Sequence, residues 1–400
     1  MIGHGLLYTL ISIRANMEGF SGALIGLIQS AYYIGFLAAS LTIPKLIQQV
    51  GHVRGFGALA SLASAATLGF VLYISPASWV LMRFTFGFCL AGILVISESW
   101  LNGKANNYNR GATLSLYVIA SWGMAALGNL LLNIAEPSVS TLFLLSSILI
   151  SLAVVPILLS ATQAPTVSVP EPVSLRELYR ISPLGVIATF LCGLVQSGFF
   201  ATGGLYTTRI GFSVSETSLF VTLSLLSGVI LQWPVGALSD RWDRRKVLTL
   251  VCLIAGLIGL PSGFLPSAAV LSIIIAATLF GGLLLPVYSL AIAHTNDYLR
   301  PEQIVAASGS LILIYGVGSV FGPLVIGPLI DAFGPGSYFV VNSVGAFAIA
   351  GFALYRMTRR ASHQEQGVYM QANPTGSVGA AVLYPEEDGE SVKAKQSSVL

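Results

Sequence analysis

Stretches of about 20 apolar residues recur along this chain, and each is long enough to cross a bilayer as a helix. They fall at 22–46, 54–74, 78–100, 111–133, 140–161, 183–206, 214–237, 247–266, 268–293, 304–330 and 336–356, and a shorter apolar run at 2–14 makes a twelfth span. A water-soluble core could not hide all twelve. Of the 400 residues 55% are hydrophobic and 9% charged, which leaves too little polar surface to cover such a core. The pattern predicts an all-α membrane protein with twelve transmembrane helices.

The basic residues orient the spans, because cytoplasmic loops retain Lys and Arg. With the N-terminus inside, sixteen of the nineteen fall on the cytoplasmic side: Lys45, Arg54, Lys104, Arg110, Arg176, Arg180, Arg241, Arg244, Arg245, Lys246, Arg300, Arg356, Arg359, Arg360, Lys393 and Lys395. Arg14 and Arg209 lie outside, and Arg83 lies within a span. Both termini are therefore expected in the cytoplasm of a cell whose plasma (inner) membrane holds the protein.

The longest internal polar stretch, 162–182, separates six spans from six. The expected organisation is an N-terminal six-helix bundle (1–161), a cytoplasmic linker (162–182), a C-terminal six-helix bundle (183–360) and a disordered cytoplasmic tail (361–400). Within the linker, "SLRELYRIS" reads as a short helix on the membrane surface. A weak repeat relates the halves: a shift of 192 residues lays "PKLIQQVGHVR" (44–54) over "GALSDRWDRRK" (236–246). The same shift maps Met1 onto Gly193, inside a span that opens near Pro183. The first helix is thus expected to be truncated by about ten residues, with Arg14 closing it at half the required thickness and the true N-terminus upstream.

Chemistry-bearing motifs are scarce. There is no Walker loop, HExxH, GxSxG or intramembrane carboxylate pair, so neither ATP-driven transport nor hydrolysis has residues to carry it. Cys89, Cys192 and Cys252 lie in apolar spans, and His4, His52, His294 and His363 are scattered, so no metal or cofactor is expected.

In "DRWDRRK" (240–246) six of seven residues carry charge. Anchoring by positive charge accounts for Arg245 and Lys246 but not for Asp240, an acid at a helix end followed at once by Arg241. Gly236 leaves room there for a second helix. Twelve spans with Gly236, Asp240, Arg241, Arg244 and Arg245 in this loop resemble the major facilitator superfamily, with Asp243 where that family usually has Gly. The stretches "GLIQSAYYIGFLAASLTIPKLI", "GFCLAGILVISESWLNGKANNYNRG" and "EQIVAASGSLILIYGVGSVFGPLVIGPLIDAFG" are similar to its bacterial YcaD-type branch. The resemblance implies that the 240–246 loop latches the two halves on the cytoplasmic face. The matching first-half loop has Gln48 and Gln49 in the Asp and Arg slots and keeps only Gly51 and Arg54.

Arg83 stands in "LMRFTFGFCLAG", near the outer end of the fourth span. An intramembrane cation is costly enough to be a functional candidate; the alternative is snorkelling to the headgroups. The resemblance implies that it faces a cavity and couples protons or a substrate anion. Glu98 lies fifteen residues on, about 22 Å along the helix, too far to pair with it. A structural partnership with Arg54 or Lys104 competes with proton carriage, and Asp297 is an expected partner for Arg244 or Arg245. Gln29, Tyr33, Gln196, Gln232 and Tyr288, with Tyr32, Asn129, Tyr206 and Tyr315, allow a midplane cavity of mostly aromatic character. The resemblance implies walls from the first, fourth, seventh and tenth spans. The Gly/Pro run from Gly316 to Pro328 reads as close packing or a hinge.

The expected function is secondary active transport of a small solute by alternating access, not catalysis. The absence of a sodium-site pattern favours a proton as coupling ion. Export of a metabolite or amphiphilic compound is expected, although "SWGMAALGN" lacks the Gly-Pro pair of the drug-antiport branches. The expected partners are that solute, protons and the bilayer, with no nucleic acid and a monomeric chain. A non-transporting sensor or scaffold of the same fold is the rival reading. A lipid-modifying enzyme would need clustered His or Asp, which the sequence lacks.

Overall fold

The computed structural model describes residues 1–104, 110–159 and 174–359. The expected tail at 361–400 and the first part of the linker lie outside them. The described residues form α-helices and one 3₁₀ turn, with no strand. In chain order the helices are α1 (Ile2–Met17), α2 (Gly22–Val50), α3 (His52–Leu72), α4 (Pro76–Lys104), α5 (Arg110–Leu130), α6 (Thr141–Leu152), α7 (Val155–Leu158), α8 (Leu175–Ile181), α9 (Pro183–Arg209), α10 (Val214–Arg241), α11 (Arg244–Ser262), α12 (Val270–Asn296), α13 (Pro301–Phe333) and α14 (Ser337–Arg359).

Eleven helical segments among the described residues are long and apolar enough to cross a membrane. The fifth of these, Thr141–Leu158, spans α6 and α7. The linker segment "SLRELYRIS" is helical as α8, capped by Ser174. Helix α1 has 16 residues and is not among the eleven. It runs past Arg14, which lies in its last turn and does not close it. Arg14 instead pairs with Glu18 and donates to the carbonyls of Pro137 and Ser138, which draws the α5–α6 connection over the helix end.

Local chemistry sets the boundaries. Ser21 caps α2, Ser213 and Glu216 form a capping box on α10, and Asp243 caps α11 by accepting from the Arg245 amide. Gly51, at φ +82°, lets α2 turn into α3 across a single residue, a backbone setting that other side chains resist.

Packing repeats along the chain. α2 packs on α4 as α10 packs on α12, α3 on α4 and α6 as α11 on α12 and α14, and α1 on α5 and α6 as α9 on α13 and α14. Across the middle, α1 meets α9, α2 meets α13 and α5 meets α10. Among the described residues α4 and α12 share no such face.

Small residues permit these crossings. A Cβ on Gly35 would overlap the Phe84 carbonyl, and one on Gly87 the Tyr32 carbonyl, so α4 rides directly on the α2 backbone. In α13, Gly318 and Gly322 meet the Phe190 and Leu194 carbonyls of α9, while Gly327 meets the Gly22 carbonyl of α2. The Gly/Pro run therefore serves close packing on two faces of one continuous helix.

Candidate functional site

The α2–α4 crossing places Arg83 against Gln29. The guanidinium donates to Gln29 Oε1 from Nε (3.0 Å) and from Nη2 (2.7 Å), and both residues are 0% exposed. Gln29 in turn donates to Ser12 Oγ at 2.5 Å, so the three helices share one network. The Tyr8 and Tyr32 ring centroids lie 5.2 and 4.8 Å from the guanidinium carbon, within cation–π range. Tyr8 and Tyr33 hydroxyls meet at 2.6 Å. Snorkelling is overturned: Arg83 lies seven residues into α4, fully enclosed and turned toward α2. Among the described residues it has no carboxylate partner, and its Nη1 has no hydrogen bond.

Beside this cluster, near the middle of α2, α9 and α13, lies a cavity. Its walls come from α1 (His4, Tyr8), α2 (Tyr32, Tyr33), α5 (Trp122, Asn129), α9 (Gln196, Phe200), α10 (Val221, Leu225) and α13 (Tyr315). The expected contributions of α4 and α12 are corrected. Arg83 and Tyr288 are both fully buried one layer behind the wall, because Tyr8 and Tyr32 cover the first and Tyr315 packs at 5.0 Å from the second. Gln196 accepts from the Tyr315 hydroxyl at 2.9 Å and donates to the Leu284 carbonyl at 2.7 Å. Gln232 is buried in α10 but does not line the cavity.

Sequence reasoning missed His4, Tyr8 and Trp122. His4 stacks on Tyr32 (5.8 Å) and on Phe86 (5.9 Å). All three residues sit in apolar helices whose buried face carries no distinguishing pattern, and α1 was expected to be incomplete.

A family model described as Major Facilitator Superfamily matches residues 1–272 and 185–375, so its two matches span most of the chain. This chain belongs to the major facilitator superfamily. Facilitator-family relatives include an uncharacterized MFS-type transporter of Yersinia pestis, 26% identical over 91% of this chain and 94% of that protein. The uncharacterized MFS-type transporter YcaD of Escherichia fergusonii is 25% identical over 91% of this chain and 93% of its own. The crystal structure of the nucleoside transporter NupG superposes with a TM-score of 0.71, at 11% identity, over 90% of this chain and 96% of that one. The facilitator fold and a multi-pass membrane protein follow.

The facilitator loop at 240–246 forms a second polar cluster. Arg244, 1% exposed, pairs with Asp297 at 2.9 Å and with Asp240 at 3.7 Å, tying the start of α11 to the ends of α12 and α10. Arg245 pairs instead with Asp243, at 2.6 Å. Gly236 is buried in the last turns of α10, and Arg241 is exposed. Glu98 is buried on α4, within electrostatic reach of Tyr117 on α5 and Tyr288 on α12. Its expected partner Arg54 is exposed, and the Lys104 side chain lies outside the described residues.

Hydrogen bonds between the segments before and after α8 gather toward the α1–α2 turn. Ser12 donates to the Ala201 carbonyl, Ser30 to Val320, Ser218 to Asn129 and Thr222 to Ala126. Asp331 accepts from the Ala23 amide at 3.0 Å and from Arg209 at 3.2 Å.

Proposed function

We propose that this protein is a secondary active transporter that moves a small solute across the bacterial inner membrane by alternating access. The single observation that carries the reading is the central cavity, which lies between α1, α2, α5 and α9, α10, α13 and is bounded on the α1–α2 side by the inter-segment bonds. Twelve spanning helices then form two six-helix bundles, residues 1–161 and 183–360, joined by the 162–182 linker; the recurring packing pairs support this division. With both termini cytoplasmic, the α1–α2 turn is external, and this conformation is open toward the cytoplasm.

Arg83, Gln29 and Tyr33 form the substrate or coupling side of the first bundle, and Gln196, Tyr288 and Gln232 that of the second. Arg244 with Asp240 and Asp297, flanked by Gly236, Arg241 and Arg245 and joined by Glu98 of the first bundle, holds the cytoplasmic gate. Here the gate's ion pairs lie within the second bundle, as an opened latch requires. A proton is the coupling ion, and Glu98, a buried carboxylate toward the cytoplasmic end of α4, carries it. Export of an amphiphilic metabolite is the direction favoured.

Reconstituted vesicles test this. Solute flux should follow an imposed proton gradient and collapse in Arg83→Ala and Asp240→Asn. Wild-type flux in both variants would remove the site assignment, and a gradient-independent leak would remove secondary transport.

A further inference from the structure

The polar atoms of the cavity fall into two groups. The amides are already engaged: Asn129 accepts from Thr9 and donates to the Ala125 carbonyl, and Gln196 is held by Tyr315 and Leu284. A polyol would therefore find few acceptors for its hydroxyls. Trp122 Nε1 and His4 Nδ1, by contrast, are buried without a hydrogen-bond partner, and an indole N–H can only donate. A buried indole donor left in this condition points to a ligand group that accepts.

Charge adds a sign. Among the described residues no Asp or Glu lines the cavity, and Arg83 sits one ring behind its wall with no carboxylate partner. A buried cation without a counter-charge favours an anion nearby and repels an amine. Shape adds a body: His4, Tyr8, Tyr32, Tyr33, Trp122 and Phe200 present ring surface to one cavity.

Resting on the transport reading above, we infer that the solute is a planar aromatic monocarboxylate. Its ring stacks among the tyrosines, and its carboxylate accepts from Trp122 Nε1 on the side of the field of Arg83.

Binding and flux test it separately. Purified full-length protein is titrated with 2-naphthoate, 2-naphthamide and 2-naphthylmethylamine, with thermal stability and tryptophan fluorescence as readouts. Saturable binding of the naphthoate, about tenfold weaker for the amide and absent for the amine, is expected. Trp122→Phe should weaken naphthoate binding about tenfold and amide binding by less. Arg83→Lys, which keeps the charge, should retain the preference for the acid; Arg83→Gln should lose it. Equal binding of acid and amide, preference for the amine, or no saturable binding would overturn the inference. Gradient-driven flux of other solutes without naphthoate binding removes this ligand class and leaves the transporter. Naphthoate binding without flux of any solute keeps the ligand class and removes transport.

Discussion

Arg244 pairs with Asp297 at 2.9 Å, both nearly buried, and ties the head of α11 to the tail of α12. Shifted by 192 residues, the same slot in the first half holds His52, which shares a 3.1 Å hydrogen bond with Ser99 near the end of α4. One loop is thus anchored by ions and its counterpart by a neutral bond. Breaking a buried ion pair from one side leaves an uncompensated charge, which costs about 3–5 kcal/mol. Asp297→Asn should lower the thermal midpoint sharply in detergent, and the double variant Arg244→Met/Asp297→Leu should recover most of the loss.

Installing the second-half residue in the first half should harm the protein. His52 is 3% exposed and faces a hydroxyl, so His52→Arg would bury a cation that Ser99 cannot neutralise. A loss of several kcal/mol in unfolding free energy is expected. A stability equal to wild type would mean that the loop re-folds around the new charge.

At the α1–α2 end, Asp331 joins α13 to both the α2 amide of Ala23 and Arg209. Asp331→Asn should weaken this tie by about 1–2 kcal/mol, roughly a tenfold change in the balance of conformations. A single cysteine at Phe200 would read it. Its labelling from the α1–α2 side should rise about tenfold, and an unchanged rate would show that the tie does not govern opening.

Gly87 and Gly123 form a controlled pair. A methyl on Gly87 would overlap the Tyr32 carbonyl, whereas one on Gly123 meets nothing within 4 Å. Gly87→Ala should cost about 1–3 kcal/mol and separate Arg83 from Gln29. Gly123→Ala should be neutral or stabilise by about 0.5–1 kcal/mol. Thermal melts of the two variants side by side decide it.

Glu98→Gln separates coupling from movement. The variant should lose uptake or export driven by a proton gradient yet still exchange labelled for unlabelled solute. Retention of gradient-driven flux would exclude Glu98 as the proton carrier.

The spans were legible because long apolar runs are broken by short polar turns, and Arg83 was legible because a cation in an apolar run has few innocent explanations. Asp297 as partner of Arg244 or Arg245 followed from opposite charges at adjoining helix ends, and the fold selects Arg244. Its surroundings were not legible in the same way. Tyr8, Trp122 and His4 lie on helices apolar on every side, where the sequence does not separate the face toward lipid from the face toward a cavity. Nor could it show that Tyr8 and Tyr32 screen Arg83, because that depends on how closely α4 approaches α2, which Gly35 and Gly87 allow only in combination.

The hydroxyls of Ser12, Ser30, Ser218 and Thr222 hold the two segments together by donating to carbonyls on opposing helices. A helical Ser or Thr also has the carbonyl four residues back within reach of its own hydroxyl. When the segments part, each donor can rotate home to its own helix rather than stand unsatisfied in an environment without water. The seam comes with its own replacement bonds, so parting it need not expose a single stranded donor among these four, and the same surfaces can separate and rejoin through every cycle.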